Sequence, residues 1–583
     1  MRPADLALYR VPPALRWVLR LIWHIEHDFE RARAEGGALD DARRRIRFVF
    51  LMFCAGFVVL AVCATRAALF PSVERVTALA TPDGARADLV DRNGQLLAVD
   101  LPHFGLYFNP AENWDTDEVL RKLPAVLPQL SPERLGRALH ATRRQYLVGG
   151  LTPEEKAKVD DMGLPGISFE NEVGRAYPLG ATAGHLIGFV DRGGAGLAGA
   201  ELALNDSIAD NAGKAPVPLS IDLRVQAALQ DELQKAALKH SAIGGIGIVT
   251  NVHTGEILGM ASYPAFDPNN AGATPPGNMV NHVAATVYEP GSVFKVFTLA
   301  MGIDTGRVNI NTPFDVHTPL ALSGQTIHDY DKGDKTLPLW EVFTHSSNIG
   351  AARLGLMIGG EQMDKYFHNF GLFDAAPSEL RESARPIVQH RLSDNVVASM
   401  SFGHAIAVSP LQIATGMTAI LNGGEYRPLT IKKVDPSQVP QGRRVVSEAT
   451  SRTMLDLMRL NVTQGTGAKA DVPGYSVGGK TGSAEKPVHG HIERNKLVSS
   501  FAAVFPTDGP MNADRYFVLI MLDEPKPTKD TFGFATGGWT SAPAAGHVIE
   551  RIAPYLNVKP EPVQLAIVQK PVAPPAQLSG GEH

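Results

Sequence analysis

Glu289-Pro290-Gly291-Ser292-Val293-Phe294-Lys295 decides how this chain of 583 residues is read. The Pro-Gly pair breaks what precedes it, and the apolar-rich run Val293 to Met301 predicts a helix starting immediately afterwards. Ser292 then stands at a helix N-terminus, where unpaired amides and the positive dipole end favour a developing negative charge. Lys295 follows one turn later on the same face. A serine hydroxyl needs a base to act as a nucleophile at neutral pH, and a desolvated lysine of lowered pKa can supply one. Taken alone, the tetrapeptide more often marks an N-cap serine followed by a surface lysine, so its partners decide.

Two partners follow in order: His345-Ser346-Ser347-Asn348, then Gly479-Lys480-Thr481-Gly482-Ser483. Ser-x-x-Lys, Ser-x-Asn and Lys-Thr-Gly form the three-part signature of penicillin-recognising serine acyl enzymes. On these motifs the chain resembles the class B penicillin-binding proteins, most closely their septal, cell-division peptidoglycan D,D-transpeptidases. The resemblance runs from about Arg86 to Tyr555. It implies an α/β transpeptidase domain, in which helices and a helical subdomain pack an antiparallel sheet and Ser292 lies on a buried helix. A β-rich pedestal and one N-terminal transmembrane helix complete the expected fold.

Acyl transfer needs a nucleophile, a base, a proton route to the leaving amine, an oxyanion hole and a substrate anchor. Ser292 is assigned as nucleophile and Lys295 as its base. Ser346 relays a proton towards the leaving group, with Lys480 tuning the local field. Asn348 offers an amide that both donates to and accepts from a substrate peptide group. Lys480 to Ser483 read as a strand lining the cleft, where Gly482 lets a substrate backbone approach. Thr481 and Ser483 present hydroxyls to a terminal carboxylate. By resemblance, the backbone N–H groups of Ser292 and Ser483 form the oxyanion hole. Most relatives carry threonine at the position of Ser483, and serine keeps the hydroxyl. Many also carry an aromatic or amide residue and then glycine where His404 and Ala405 stand; His404 reads as a packed or cleft-edge histidine.

The remaining chain divides around this core. Residues 1–47 are arginine-rich, with Leu15, Val18, Leu19, Ile22, Ile25 and Phe29 at helical spacing, and read as a cytoplasmic tail, either an interfacial helix or a partner-binding or merely frayed segment. Residues 48–65 are apolar and flanked by more arginine before than after, which predicts a single membrane span with a cytoplasmic N-terminus. Both cysteines, Cys54 and Cys63, fall in this span, so the exported portion has no thiol chemistry and no disulfides. Residues 66–215 read as the non-catalytic pedestal, with a hairpin through Asn93-Gly94. By resemblance the pedestal also includes Arg175-Ala176-Tyr177-Pro178, His185-Leu186-Ile187-Gly188 and Gly196 to Glu201. Residues 216–558 form the transpeptidase domain, opening with a helix capped by Asp222, and 559–583 form a Pro/Ala/Gln-rich disordered tail. A net charge of −5 and the lack of a basic stripe give no nucleic-acid signal.

One decoy competes. Gly474 to Thr481 also satisfies the phosphate-loop pattern, Phe517 to Glu524 imitates the acidic end of a nucleotide-hydrolase strand, and Leu578 to Glu582 a transporter-ATPase signature. A phosphate loop needs a helix starting at its Lys-Thr, and Gly482, Pro487 and Gly490 leave no room for one. Phe517 to Leu522 reads better as a buried core strand.

The expected function is cross-linking of peptidoglycan stem peptides that end in D-Ala-D-Ala, through a serine acyl-enzyme inhibited by β-lactams, with no metal or organic cofactor. The expected location is the cytoplasmic membrane, with the catalytic domain outside. The resemblance implies a polytopic glycan-polymerising membrane partner and other division proteins. An elongation-type transpeptidase, a D,D-carboxypeptidase and a non-catalytic division scaffold are the alternatives.

Overall fold

The computed structural model describes residues 46, 48–61, 85–330, 336–389, 391–488 and 491–561. Residues 48–61 are helical, and their apolar side chains are mostly exposed. Among the described residues no helix is long and apolar enough to cross a membrane. Residues 1–45 and 62–65, including Cys63, lie outside the described residues, as does the string Leu578 to Glu582.

The pedestal is built on strands β1 (Leu89–Val90), β2 (Leu96–Phe108), β3 (Gln145–Leu151), β4 (Ile167–Ala176) and β5 (Val217–Pro218), ordered β3-β2-β1-β5 with β4 also paired to β2. The expected hairpin is present: β1 and β2 pair antiparallel with Leu89 opposite Ala98, and Gly94 takes φ 87° in the turn. Helices Thr116–Val126, Pro132–Leu139 and Pro153–Asp160 start at Asp115, Ser131 and Thr152, whose side chains accept from backbone N–H groups of the first turn. They bury Val119, Leu123, Leu135 and Val159 with Leu106, Phe108, Leu147 and Leu151 of β2 and β3. Three of the stretches singled out in the sequence meet in one buried ion network. Glu201 accepts from Arg86 and Arg175 at 2.7 Å each, and Arg175 reaches Asp100 at 2.9 Å.

The catalytic domain centres on a second sheet, formed by β6 (Gly244–Asn251), β7 (Ile257–Tyr263), β8 (Gly478–Val488), β9 (His491–Phe505) and β10 (Tyr516–Asp523). The order is β8-β9-β10-β6-β7, with every pairing antiparallel. The run Phe517 to Leu522 of β10 is buried throughout, because helices cover both faces of the sheet. Helix α1 (Leu223–Lys239), capped by Asp222 as expected, sets Val225, Leu229 and Leu233 against one face. The other face carries α2 (Lys295–Asp304), α4 (Pro410–Leu421) and α5 (Glu448–Gln464); α3 (Asn348–Ile358) packs on α2, and α6 (Ser541–Ile552) closes the α1 side. All twelve residues of α4 are buried, so α2 rests on a wholly internal helix.

The phosphate-loop reading fails on this topology. Lys480 and Thr481 lie inside β8, paired with Ala502 and Phe501 of β9, where no helix N-terminus can meet a phosphate. The chain stays attached as far as Glu561, whose N–H donates to Gly474 O at 2.7 Å.

Candidate active site

Ser292 lies on a 3-10 turn, Gly291–Phe294, and the α-helix starts only at Lys295. The α-helix therefore starts two residues later than the expected Val293. Ser292 caps nothing: the residues before the two helical segments are Pro290 and Phe294. Long-range packing imposes the turn. Gly291 has φ 55°, and a Cβ there would stand 3.0 Å from Ser483 O; a Cβ on Gly403 would stand 2.0 Å from Gly291 O. Only glycines allow β8, the nucleophile turn and the 401–405 loop to meet this closely. Gly482 belongs to the same contact. A Cβ there would run into Ser500 Oγ at 2.3 Å and Pro290 O at 2.9 Å, so packing of the turn by itself requires the glycine.

Lys295 is fully buried. Its Nζ does not bond to Ser292; it donates to Ser346 O, to Asn348 Oδ1 at 2.7 Å and to Ser346 Oγ at 3.2 Å. Burial, with the nearby Lys480 charge, holds its pKa well below the ordinary lysine value, against the pull of Asp329. A neutral amine has two protons and one lone pair. Ser346 O and Asn348 Oδ1 are acceptors only and keep both protons, so the donation to Ser346 Oγ belongs to the charged amine, and the neutral amine has its lone pair for a hydroxyl proton. Asn348 Oδ1 is thus engaged by the lysine, while Nδ2 reaches His328 O only at 3.5 Å and stays available as a donor.

Ser346 sits in the left-handed region at φ 59°, on the turn between helix Leu339–Thr344 and α3. Lys480, also fully buried, donates to Ser346 Oγ at 2.9 Å and has its pKa lowered by burial to about 7. One hydroxyl therefore lies between two lysine amines whose affinity for a proton desolvation lowers, that of Lys480 to a pKa of about 7. Such a hydroxyl can pass a proton from one side of the site to the other.

Three features were not legible as site elements. Asp329 accepts from Asn348 N (2.5 Å), Ile349 N (3.0 Å) and Ser347 Oγ (2.5 Å), so its carboxylate fixes the Ser-x-Asn turn at the N-terminus of α3. Gly537 N donates to Ser483 Oγ at 3.0 Å, leaving the Ser483 proton free to donate outward. Thr466 Oγ1 lies 2.8 Å from Thr481 Oγ1. His404 packs on Phe402 with ring centroids 5.0 Å apart, and burial lowers its pKa. Ala405 adopts φ 60°, a left-handed conformation that glycine takes more readily than alanine.

Comparison with known proteins accords with this geometry. Residues 245–549 match the penicillin binding protein transpeptidase domain, and residues 81–215 match the penicillin-binding protein dimerisation domain. The chain is 53% identical over 576 residues to the probable peptidoglycan D,D-transpeptidase FtsI of Caulobacter vibrioides, covering 97% of this chain and 98% of the relative. It is 30% identical to the peptidoglycan D,D-transpeptidase FtsI of Escherichia coli strain K12, across 82% of this chain and 84% of the relative. The crystal structure of penicillin binding protein 3 from Mycobacterium tuberculosis complexed with aztreonam superposes with a TM-score of 0.63 at 26% identity, covering 82% of this chain and 98% of its own. The chain belongs to the penicillin-binding proteins, as a class B enzyme of the FtsI peptidoglycan D,D-transpeptidase type.

Proposed function

We propose that this enzyme cross-links septal peptidoglycan through an acyl-enzyme on Ser292. The observation that carries the reading is the meeting of two buried lysines on one hydroxyl, Lys295 at 3.2 Å and Lys480 at 2.9 Å from Ser346 Oγ, with the Lys295 lone pair left free. Ser292 Oγ attacks the carbonyl of the penultimate D-alanine while its proton passes to Lys295 Nζ. The tetrahedral oxyanion rests on the N–H groups of Ser292 and Ser483. As the C–N bond breaks, Ser346 Oγ gives its proton to the departing D-alanine amine and recovers one from Lys295. The acyl-enzyme then yields its acyl group to an amine from a neighbouring stem, whose proton leaves by the reverse route. Asn348 Nδ2 holds a substrate carbonyl, and Thr481 and Ser483 hold the terminal carboxylate. β-Lactams acylate the same serine and leave slowly.

In this reading residues 48–65 anchor the chain as a single span with residues 1–47 in the cytoplasm, and residues 66–215 form a pedestal that docks a polytopic glycan-polymerising partner. The arginine excess before the apolar run supports the orientation. The test is a transpeptidation assay on the full chain in detergent, with a D-Ala-D-Ala donor and a labelled D-amino acid acceptor. Release of D-alanine with incorporation of the acceptor, lost in Ser292→Ala, is the expected result. D-alanine release without acceptor incorporation would make the protein a carboxypeptidase, and unchanged turnover in Ser292→Ala would remove the mechanism.

A further inference from the structure

A hydroxyl from outside the three motifs stands against the Lys-Thr-Gly strand. The turn after α5 is tied down by Gly465 N and Gly467 N, which donate to Asn461 O at 3.0 and 3.2 Å, and by Thr466 N, which donates to Thr344 O at 3.3 Å. This places Thr466 Oγ1 2.8 Å from Thr481 Oγ1 and 3.3 Å from Asn461 Oδ1. Thr466 is exposed, whereas Thr481 is buried at 7% exposure. Asn461 is fully buried, and its Nδ2 donates to Gly479 O at 2.8 Å. That bond fixes which end of the amide is oxygen, so Asn461 Oδ1 can only accept.

Counting protons exposes a conflict. Thr466 has one hydroxyl proton and gives it to Asn461 Oδ1. The short bond between the threonines must then use the proton of Thr481, whose remaining contact is a donation from Lys480 Nζ at 3.4 Å. In this arrangement Thr481 has no proton left for a carboxylate. It gains one only if Thr466 turns its O–H from Asn461 to Thr481, which frees the Thr481 O–H to point outward.

We propose that Thr466 is a positioning residue for the donor's terminal carboxylate, acting as a hydroxyl switch that makes Thr481 a donor when the anion arrives. The proposal rests on the reading that Thr481 and Ser483 bind that carboxylate. Both hydroxyls rotate and no heavy atom needs to move. The switch exchanges the 3.3 Å bond to Asn461 for a charge-assisted bond to the carboxylate, which is the stronger type. Asn461 sets the resting direction, and through Gly479 it ties the switch to β8 itself.

The test uses the full chain in detergent with N-benzoyl-D-alanylthioglycolate, a thioester bearing the carboxylate, and with its methyl ester. Thr466→Val removes the donor that holds the Thr481 O–H in its outward direction, and should raise KM for the carboxylate substrate up to about tenfold with kcat near wild type, and leave the methyl ester unaffected. Thr466→Ser keeps the switch and should stay within about twofold of wild type. Equal losses on both substrates would make Thr466 merely structural, and no loss on either would remove its role; each overturns the proposal. Thr481→Val separates the underlying reading. If that variant discriminates the two substrates while Thr466→Val does not, the proposal alone fails. If Thr481→Val treats both alike, the carboxylate reading fails and the proposal with it.

Discussion

Removing Asp329 tests whether the Ser-x-Asn turn is held in place from outside the motifs. Its carboxylate accepts from Asn348 N at 2.5 Å, Ile349 N at 3.0 Å and Ser347 Oγ at 2.5 Å. Asp329→Ala frees two amides of the first turn of α3 and one hydroxyl. Hydrogen bonds to a charged group contribute about 1.5–3 kcal/mol each, but solvent can reach part of this half-buried site, so a loss of about 3 kcal/mol in stability is expected. The larger effect falls on chemistry. Ser346 and Asn348 hold the Lys295 amine, and a shift of about 1 Å in a catalytic group costs about a hundredfold in rate. Asp329→Asn keeps an oxygen for the two amides, and its NH2 can donate to Ser347 Oγ, so it should cost only about 1 kcal/mol. It also removes the anion that pulls the Lys295 pKa upward. That pKa then falls further, and the acid limb of the acylation profile should move to lower pH. The assay is the second-order rate of penicillin acylation between pH 5 and 9, with thermal unfolding alongside. An Asp329→Ala enzyme as stable and as fast as wild type would show that Asp329 does not hold the turn, and an Asp329→Asn acid limb that moves to higher pH would show that its charge does not raise the Lys295 pKa.

Three further outcomes are expected. The Lys480 pKa is about 7 in the folded chain against 10.5 when unfolded, so between those values the unfolded chain binds more protons and stability rises with pH. Lys480→Met should flatten that rise in chemical denaturation and abolish fast acylation. Gly403→Ala puts a Cβ 2.0 Å from Gly291 O and forces φ 86° on alanine, so penicillin labelling should fall more than tenfold, with about 3 kcal/mol or more of stability lost. Glu201→Ala removes the carboxylate partner of Arg86 in the pedestal interior and leaves Arg175 with Asp100 alone. About 3–5 kcal/mol should be lost, seen as an earlier pedestal transition in urea, while labelling of Ser292 under native conditions persists.

What the sequence disclosed followed the range over which each cause acts. The Asn93-Gly94 hairpin, the Asp222 cap and the all-apolar strand from Phe517 to Leu522 depend on neighbouring residues, and all three are present. The three motifs also meet as expected, with Lys295, Ser346, Asn348 and Lys480 in one hydrogen-bonded group. The 3-10 turn at Ser292 was not legible, because its cause is the approach of Gly403 and Ser483 from distant parts of the chain. Asp329 and Thr466 were missed for the same reason. Each is an ordinary polar residue in sequence and acquires a role only when folding brings α3 or β8 beside it. The amide of Asn348 looked free for substrate, since nothing local indicates that Lys295 would take its oxygen.

The measurement that bears most directly on the central claim is the intact mass of the protein after incubation with a penicillin, for wild type and Ser292→Ala. One covalent adduct on wild type and none on a folded Ser292→Ala variant is the result predicted. No adduct on folded wild-type protein, or an adduct that survives in Ser292→Ala, would contradict an acyl-enzyme on Ser292.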